Sequence, residues 1–208
     1  MIPKIIHYIW IGSELPKKYK NNIETWKINK DFEIKKWDEK PFIDNKWVKF
    51  YCDEKIYSYP GDYIRFKVLY DYGGFYLDTD VICHKPFDDF ILNKDFAMSY
   101  TNRYYGLINA TIIGAEKGNK HIKLLLDTYS ELEPTLNILI NLNNRKIPNS
   151  SDFICSKVLF SNAIFLPEDV FLNNTDNQKP TNNTYCEHIL RKEKTSFNNL
   201  KETIKIYS

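Results

Sequence analysis

Two adjacent glycines, Gly73-Gly74, stand where one hydrophobic period gives way to another. Before them, the run Gly61–Tyr72 spaces Ile64, Val68 and Leu69 as one buried stripe of a helix. After them, Phe75-Tyr76-Leu77-Asp78-Thr79-Asp80 reads as a strand. Glycine takes the left-handed conformation that closes a helix, so helix, sharp stop and strand follow in that order. The strand period of two sends Phe75, Leu77 and Thr79 to one face, and Tyr76, Asp78 and Asp80 to the other. Two carboxylates on one strand face repel unless a positive charge sits between them. A hard divalent cation, Mg2+ or Mn2+, suits aspartate oxygens. On the helix, Asp62 and Arg65 are three residues apart and share a face. Taken alone, that pair is a surface ion pair worth about 0.3–0.5 kcal/mol. The two strand aspartates, taken alone, are solvated strand-end acids.

Their company points elsewhere. In chain order, the opening Ile2-Pro3-Lys4-Ile5-Ile6-His7-Tyr8-Ile9-Trp10-Ile11-Gly12, the Asp62/Arg65 helix and the Gly73–Asp80 run resemble the DXD glycosyltransferases of family 32. That family includes capsular-polysaccharide sugar transferases and initiation-type mannosyltransferases. The catalytic domains of clostridial glucosylating toxins are more distantly similar. The resemblance covers residues 2 to about 130 well and the C-terminal third weakly. It implies a GT-A-like fold, a nucleotide-sugar donor, Mn2+ or Mg2+, and transfer with retention of anomeric configuration.

The resemblance also assigns roles. Asp80 is the first metal ligand, and Asp78 meets the donor ribose, the sugar, or the metal through water. Asp62 and Arg65 hold hydroxyls of the transferred sugar, with Tyr76 on the sugar side; a core aromatic is the rival reading of Tyr76. Asn109, in Ile108-Asn109-Ala110-Thr111, faces the donor sugar. Trp10 stacks on the nucleotide base; a core tryptophan is the rival reading. Relatives often close over metal and diphosphate with a histidine followed by Ser-Trp. Here Tyr185-Cys186-Glu187-His188 offers His188 as a further metal ligand, with Glu187, diphosphate and water as the alternative, and Ser196-Phe197 stands for Ser-Trp at a longer spacing. Phenylalanine lacks the indole N–H that donates to a leaving phosphate. A UDP-hexose is favoured over GDP-mannose as donor, and the acceptor is a glycan or lipid-linked hydroxyl.

Composition bounds the rest. With 208 residues, 43% of them hydrophobic, one core and a single domain over 1–208 are expected. The 29 basic and 27 acidic residues leave a net charge of +2 without a basic stripe, which argues against nucleic acid. No apolar run approaches the roughly 18 residues of a membrane span. The N-terminus opens on a strand-like segment rather than a signal peptide. A cytoplasmic enzyme is expected, with peripheral contact at the inner membrane face left open. The four cysteines show no C-x-x-C spacing and read as free thiols.

Strands are expected at 4–11, Phe32–Trp37, Phe96–Tyr100 and Leu107–Gly114. Helices are expected at Pro16–Ile28, after Pro41, from Asp62 once Tyr59-Pro60-Gly61 has broken the chain, at Asn119–Leu132 and at Ser151–Phe160. Residues 133–150 and 173–183 read as loop. Alternating strands and helices predict an α/β domain with a central, mainly parallel sheet flanked by helices, and ligands at the carboxyl ends of its strands. His7 is expected to be structural, His84 and His121 solvated. Two rivals stand beside the transferase: a D-x-D phosphatase on Leu77–Val81, against which other strands precede the motif and Asp88-Asp89 follow it too soon, and a binding module without turnover.

Overall fold

The computed structural model describes residues 1–102, 107–108, 110–134, 154–155, 158–159, 165–173 and 179–189. The first half runs β1 (Ile5–Ile9), α1 (Lys17–Trp26), β2 (Glu33–Trp37), a 3-10 turn (Lys40–Phe42), α2 (Lys46–Asp53) and α3 (Ser58–Tyr72). Then come β3 (Gly74–Leu77), β4 (Val81–Cys83), α4 (Asp89–Leu92), β5 (Phe96–Ala97), β6 (Tyr100–Asn102), β7 (Leu107–Ile108), β8 (Ile112–Ala115) and α5 (Lys120–Glu131). Two short strands, β9 (Phe171–Asn173) and β10 (Cys186–His188), follow.

The expected α/β class holds, with a central sheet ordered β2-β1-β3-β8-β5. Its pairing is evenly mixed rather than mainly parallel. β1 pairs with β2 and β3 in parallel, while β8 pairs with β3 and β5 antiparallel. Parallel neighbours need a long crossover, which α1 and α3 provide early in the chain. Among the described residues, β5 and β8 are linked by the antiparallel β6–β7 pair, and the chain returns reversed. A second sheet, β4-β10-β9, was not expected from the sequence.

β3 divides the core as its period of two requires. Phe75 and Leu77 join Ile6, Trp26 and Val81 on one side, while Tyr76 joins Trp47, Phe66 and Tyr129 on the other. Packing, more than capping, sets α1: no side chain caps its N-terminus, but Tyr19 and Trp26 are buried. Each such burial is worth about 1.5–3 kcal/mol, against about 1 for a cap. By contrast, Asn119 caps α5 through the His121 and Ile122 amides, and Ile122, Leu125, Leu126 and Tyr129 face inward as expected.

Three expectations change at α3 and β3. The helix begins at Ser58, so Tyr59-Pro60-Gly61 lies inside its first turn instead of breaking the chain. Proline is tolerated there because first-turn amides have no intrahelical acceptor. Residues on several sides of α3 are buried, beyond the single stripe. Finally, β3 ends at Leu77: the Asp78 amide donates to the Thr111 carbonyl, and the Val81 amide turns back to the Asp78 carbonyl. Asp78 therefore opens a tight turn and Asp80 lies within it, so the two do not share one face of a continuous strand.

The glycine stop is tight. Gly73 has φ +68°, and a Cβ there would lie 2.6 Å from the Lys117 amide nitrogen. A Cβ on Gly74 would lie 2.5 Å from the Ile5 carbonyl oxygen. His7 is buried behind this corner. Its Nδ1 accepts from the Trp37 indole N–H at 3.0 Å, which leaves Nε2–H to donate to the Gly73 carbonyl at 2.8 Å. Burial pushes its pKa down to about 4. The four cysteines are unbridged in this structure. His84 is exposed, as expected, and its ring also meets Glu187 at 2.9 Å. Among the described residues, no helix is long and apolar enough to cross a membrane.

Candidate active site

The carboxyl ends of the parallel strands β1 and β3 open into a cleft of about 340 Å³. β1 contributes Ile9 and, just beyond it, Trp10 and Ile11. The first turns of α3 contribute Ser58, Gly61, Asp62 and Arg65, and the end of β3 contributes Tyr76, Asp78, Thr79 and Asp80. Trp10 is half-buried in the cleft wall, not in the core, and its indole N–H donates to the Ser13 carbonyl at 2.9 Å.

Asp62 and Arg65 are not a surface pair. Both are buried, and the Arg65 guanidinium donates to Asp62 Oδ1 at 2.9 Å and to the Ala110 carbonyl at 2.6 Å. It also stands 3.8 Å from Asp78 Oδ1 and lies over the Tyr76 ring at 4.8 Å. The Tyr76 hydroxyl donates to Asp78 Oδ1 at 2.5 Å. Burial holds the Tyr76 phenol well above its ordinary range, against the pull of Arg65, so it remains a donor. Burial likewise pushes the Asp78 carboxyl up; Arg65 opposes this and the Asp80 carboxylate adds to it. A second cation beside Asp78 and Asp80 would relieve that repulsion.

The group facing these carboxylates comes from far along the chain. β10 pairs with β4 in antiparallel register, His188 opposite Val81, and the Ile189 amide donates to the Asp80 carbonyl at 2.9 Å. His188 Nε2 thereby lies 3.2 Å from Asp80 Oδ1. One potential ligand atom from each of Asp78, Asp80 and His188 falls within 4.8 Å of the others. Two carboxylates and one imidazole form a donor set that fits Mn2+ more closely than the all-oxygen preference of Mg2+.

Asn109 and Ser196, both predicted site residues, lie outside the described residues. The neighbours of Asn109 reach the site through backbone: the Ala110 carbonyl accepts from Arg65 and the Thr111 carbonyl from Asp78.

Sequence reasoning missed the support that α1 gives this turn. Asn22 Nδ2 donates to the Thr79 carbonyl, the Trp26 indole to the Val81 carbonyl, and Thr25 Oγ1 accepts from the Cys83 amide, at 2.9, 2.9 and 3.0 Å. One helix thus grips every second residue from Thr79 to Cys83. Only the polar i, i+3 spacing of Asn22 and Thr25 hints at it in sequence.

Of the two acids that follow the motif too closely for a phosphatase, the first is otherwise engaged. Asp88 caps α4 through the Phe90 amide and accepts from the Tyr185 hydroxyl at 2.7 Å.

Comparison with known proteins bears out the resemblance. Residues 16–97 match the family described as glycosyltransferase sugar-binding region containing DXD motif. An uncharacterized glycosyltransferase of Acanthamoeba polyphaga mimivirus is 38% identical over 127 residues, 54% of this chain and 49% of that protein. Inositol phosphoceramide mannosyltransferase 3 of Schizosaccharomyces pombe is 35% identical over 97 residues, 42% of this chain and 26% of that protein. The chain thus spans about half of the first relative and about a quarter of the second. Among solved structures, the PaToxG glycosyltransferase superposes with a TM-score of 0.55 at 22% identity, covering 76% of this chain and 68% of that one. That likeness establishes a fold of the GT-A type.

Proposed function

We propose that this chain, GT-A in fold and carrying a DXD sugar-binding region, is a metal-dependent glycosyltransferase that moves a hexose from a nucleotide sugar to an acceptor hydroxyl. The observation that carries the reading is the meeting of Asp78, Asp80 and His188 beside a cleft that also holds the buried Asp62–Arg65 pair. Asp80, His188 and Asp78 would hold the metal, Mn2+ in preference to Mg2+. When bound, that ion supplies Lewis-acid stabilisation of the negative charge on a departing diphosphate. Arg65 and Asp62 present a rigid donor and acceptor for sugar hydroxyls. Tyr76 keeps one oxygen of Asp78 occupied and so orients the other. Trp10 offers a half-exposed aromatic face to the base.

Transfer with retention is part of the proposal. Among the described residues, the carboxylates lining the cleft are Asp62, Asp78 and Asp80. Asp62 is tied to Arg65 and the other two sit in the metal cluster, so none is left as a covalent nucleophile. Front-face attack is therefore favoured over a glycosyl-enzyme. A UDP-hexose is the first donor to try. GDP-mannose follows, because a relative is a mannosyltransferase, and the inositol phosphoceramide in its name makes a lipid-linked hydroxyl a natural acceptor class.

The test is release of nucleoside diphosphate from a panel of UDP- and GDP-sugars, with Mn2+ and with chelator, for wild type and Asp80→Ala. Release from one donor, abolished by chelator and by the substitution, is expected. Nucleotide binding without release, with or without acceptors, would instead establish a binding module.

A further inference from the structure

Away from the cleft, Cys83 on β4 and Cys186 on β10 are direct cross-strand partners, and their sulfurs stand 3.0 Å apart. The His84 amide donates to the Tyr185 carbonyl at 2.8 Å, so the hydrogen-bonded position lies one residue away from the cysteines. Theirs is the non-hydrogen-bonded type of antiparallel pair, in which facing side chains approach most closely. A disulfide requires a sulfur separation of about 2.05 Å. The two sulfurs thus need to approach by only about 1 Å, with the strands already in register.

We propose that Cys83 and Cys186 are an oxidisable pair that closes a disulfide between β4 and β10. With glutathione disulfide as oxidant, one cysteine sulfur attacks it, breaking its S–S bond and expelling one glutathione. The second cysteine sulfur then attacks the mixed disulfide and expels the other. Two protein thiols lose two protons and two electrons, and one glutathione disulfide becomes two glutathione molecules.

Both thiols are buried, so the oxidant reaches them while the chain folds or when β10 lifts from β4. Once formed, the bond fastens together residues 103 apart in sequence. Cross-links over loops of that length restrict the unfolded chain strongly. The fastened strand is the one that carries His188. The inference rests on the β4–β10 geometry alone and stands whether or not the chain transfers sugar.

The full chain is refolded from urea in a glutathione redox buffer, alkylated and mapped by non-reducing peptide mass spectrometry. A Cys83–Cys186 linkage is expected, with Cys52 and Cys155 alkylated. The Tm should rise by roughly 10 °C over the same protein in reductant, and Cys83→Ser should abolish both effects. Native chain held in the same buffer and mapped likewise provides a second measurement that does not depend on refolding. Alkylated Cys83 and Cys186, glutathione adducts alone, or any other pairing in both preparations overturns the proposal.

Discussion

The Arg65 guanidinium stands 2.9 Å from Asp62 Oδ1 and 3.8 Å from Asp78 Oδ1, so one buried cation joins a residue of α3 to a residue just past β3. Its reach depends on the planar fork of arginine, which bonds the Ala110 carbonyl and Asp62 through different nitrogens. Lysine, whose donors share one nitrogen, cannot reproduce that fork geometry.

Arg65→Lys is therefore expected to cut sugar transfer by about a hundredfold or more, and Arg65→Met to destabilise the fold by about 3–5 kcal/mol. Urea denaturation and donor hydrolysis assays measure the two effects. A stability loss below about 0.5 kcal/mol for Arg65→Met would mean that the pair behaves as a solvated surface contact.

The Asp-Asp-His cluster predicts its own metal affinity. Asp80→Asn and His188→Ala should each weaken Mn2+ binding by at least about tenfold, or about 1.4 kcal/mol, in a titration followed by electron paramagnetic resonance. Far-ultraviolet circular dichroism should stay as in wild type. Unchanged Mn2+ affinity in His188→Ala would remove β10 from the metal site.

Asn22 touches neither sugar nor metal in this scheme; it positions the turn through the Thr79 carbonyl. Losing that hydrogen bond forfeits about 1 kcal/mol. Asn22→Ala is expected to lower Mn2+ affinity roughly fivefold, with KM for the donor little changed. If KM rises while Mn2+ affinity holds, the α1 contact serves the donor pocket and not the metal turn.

Much of this was legible in the chain and some was not. Asp62, Arg65, Tyr76, Asp78 and Asp80 lie within a helix–glycine–strand unit whose local periods fix their proximity, so sequence spacing alone brings them together. The turn at Asp78–Asp80 was misread as strand because apolar alternation continues through Val81 even though the β3 ladder stops at Leu77. β4, β9 and β10 have three residues each, too few to show a period. The burial of Arg65 was equally hidden, since an i, i+3 pair has the same spacing on a surface or in a core.

His7 gives a pH dependence with a defined sign. Its folded pKa is about 4, against 6.5 for a solvated imidazole such as that of the unfolded chain. Above pH 6.5 both states are neutral and the Trp37–His7–Gly73 bonds are intact. As pH falls from 6.5 towards 4, the unfolded chain takes up a proton that the folded chain refuses. Stability therefore drops across that window, by at most about 3 kcal/mol, and levels off below it. Urea midpoints for wild type and His7→Gln between pH 4 and 7 isolate the effect; parallel curves would show that His7 does not contribute it.

The pairing of β10 with β4 has a consequence for the order of events in synthesis. His188 can join Asp78 and Asp80 only after the chain has closed a loop of about a hundred residues, a step whose entropy makes such long-range pairings late in folding. The DXD turn leaves the ribosome long before its third member does. A nascent or truncated chain that ends before residue 186 would display both aspartates on a formed α3–β3 unit with nothing opposite them. Full metal affinity is thus expected to report that the C-terminal strand has arrived.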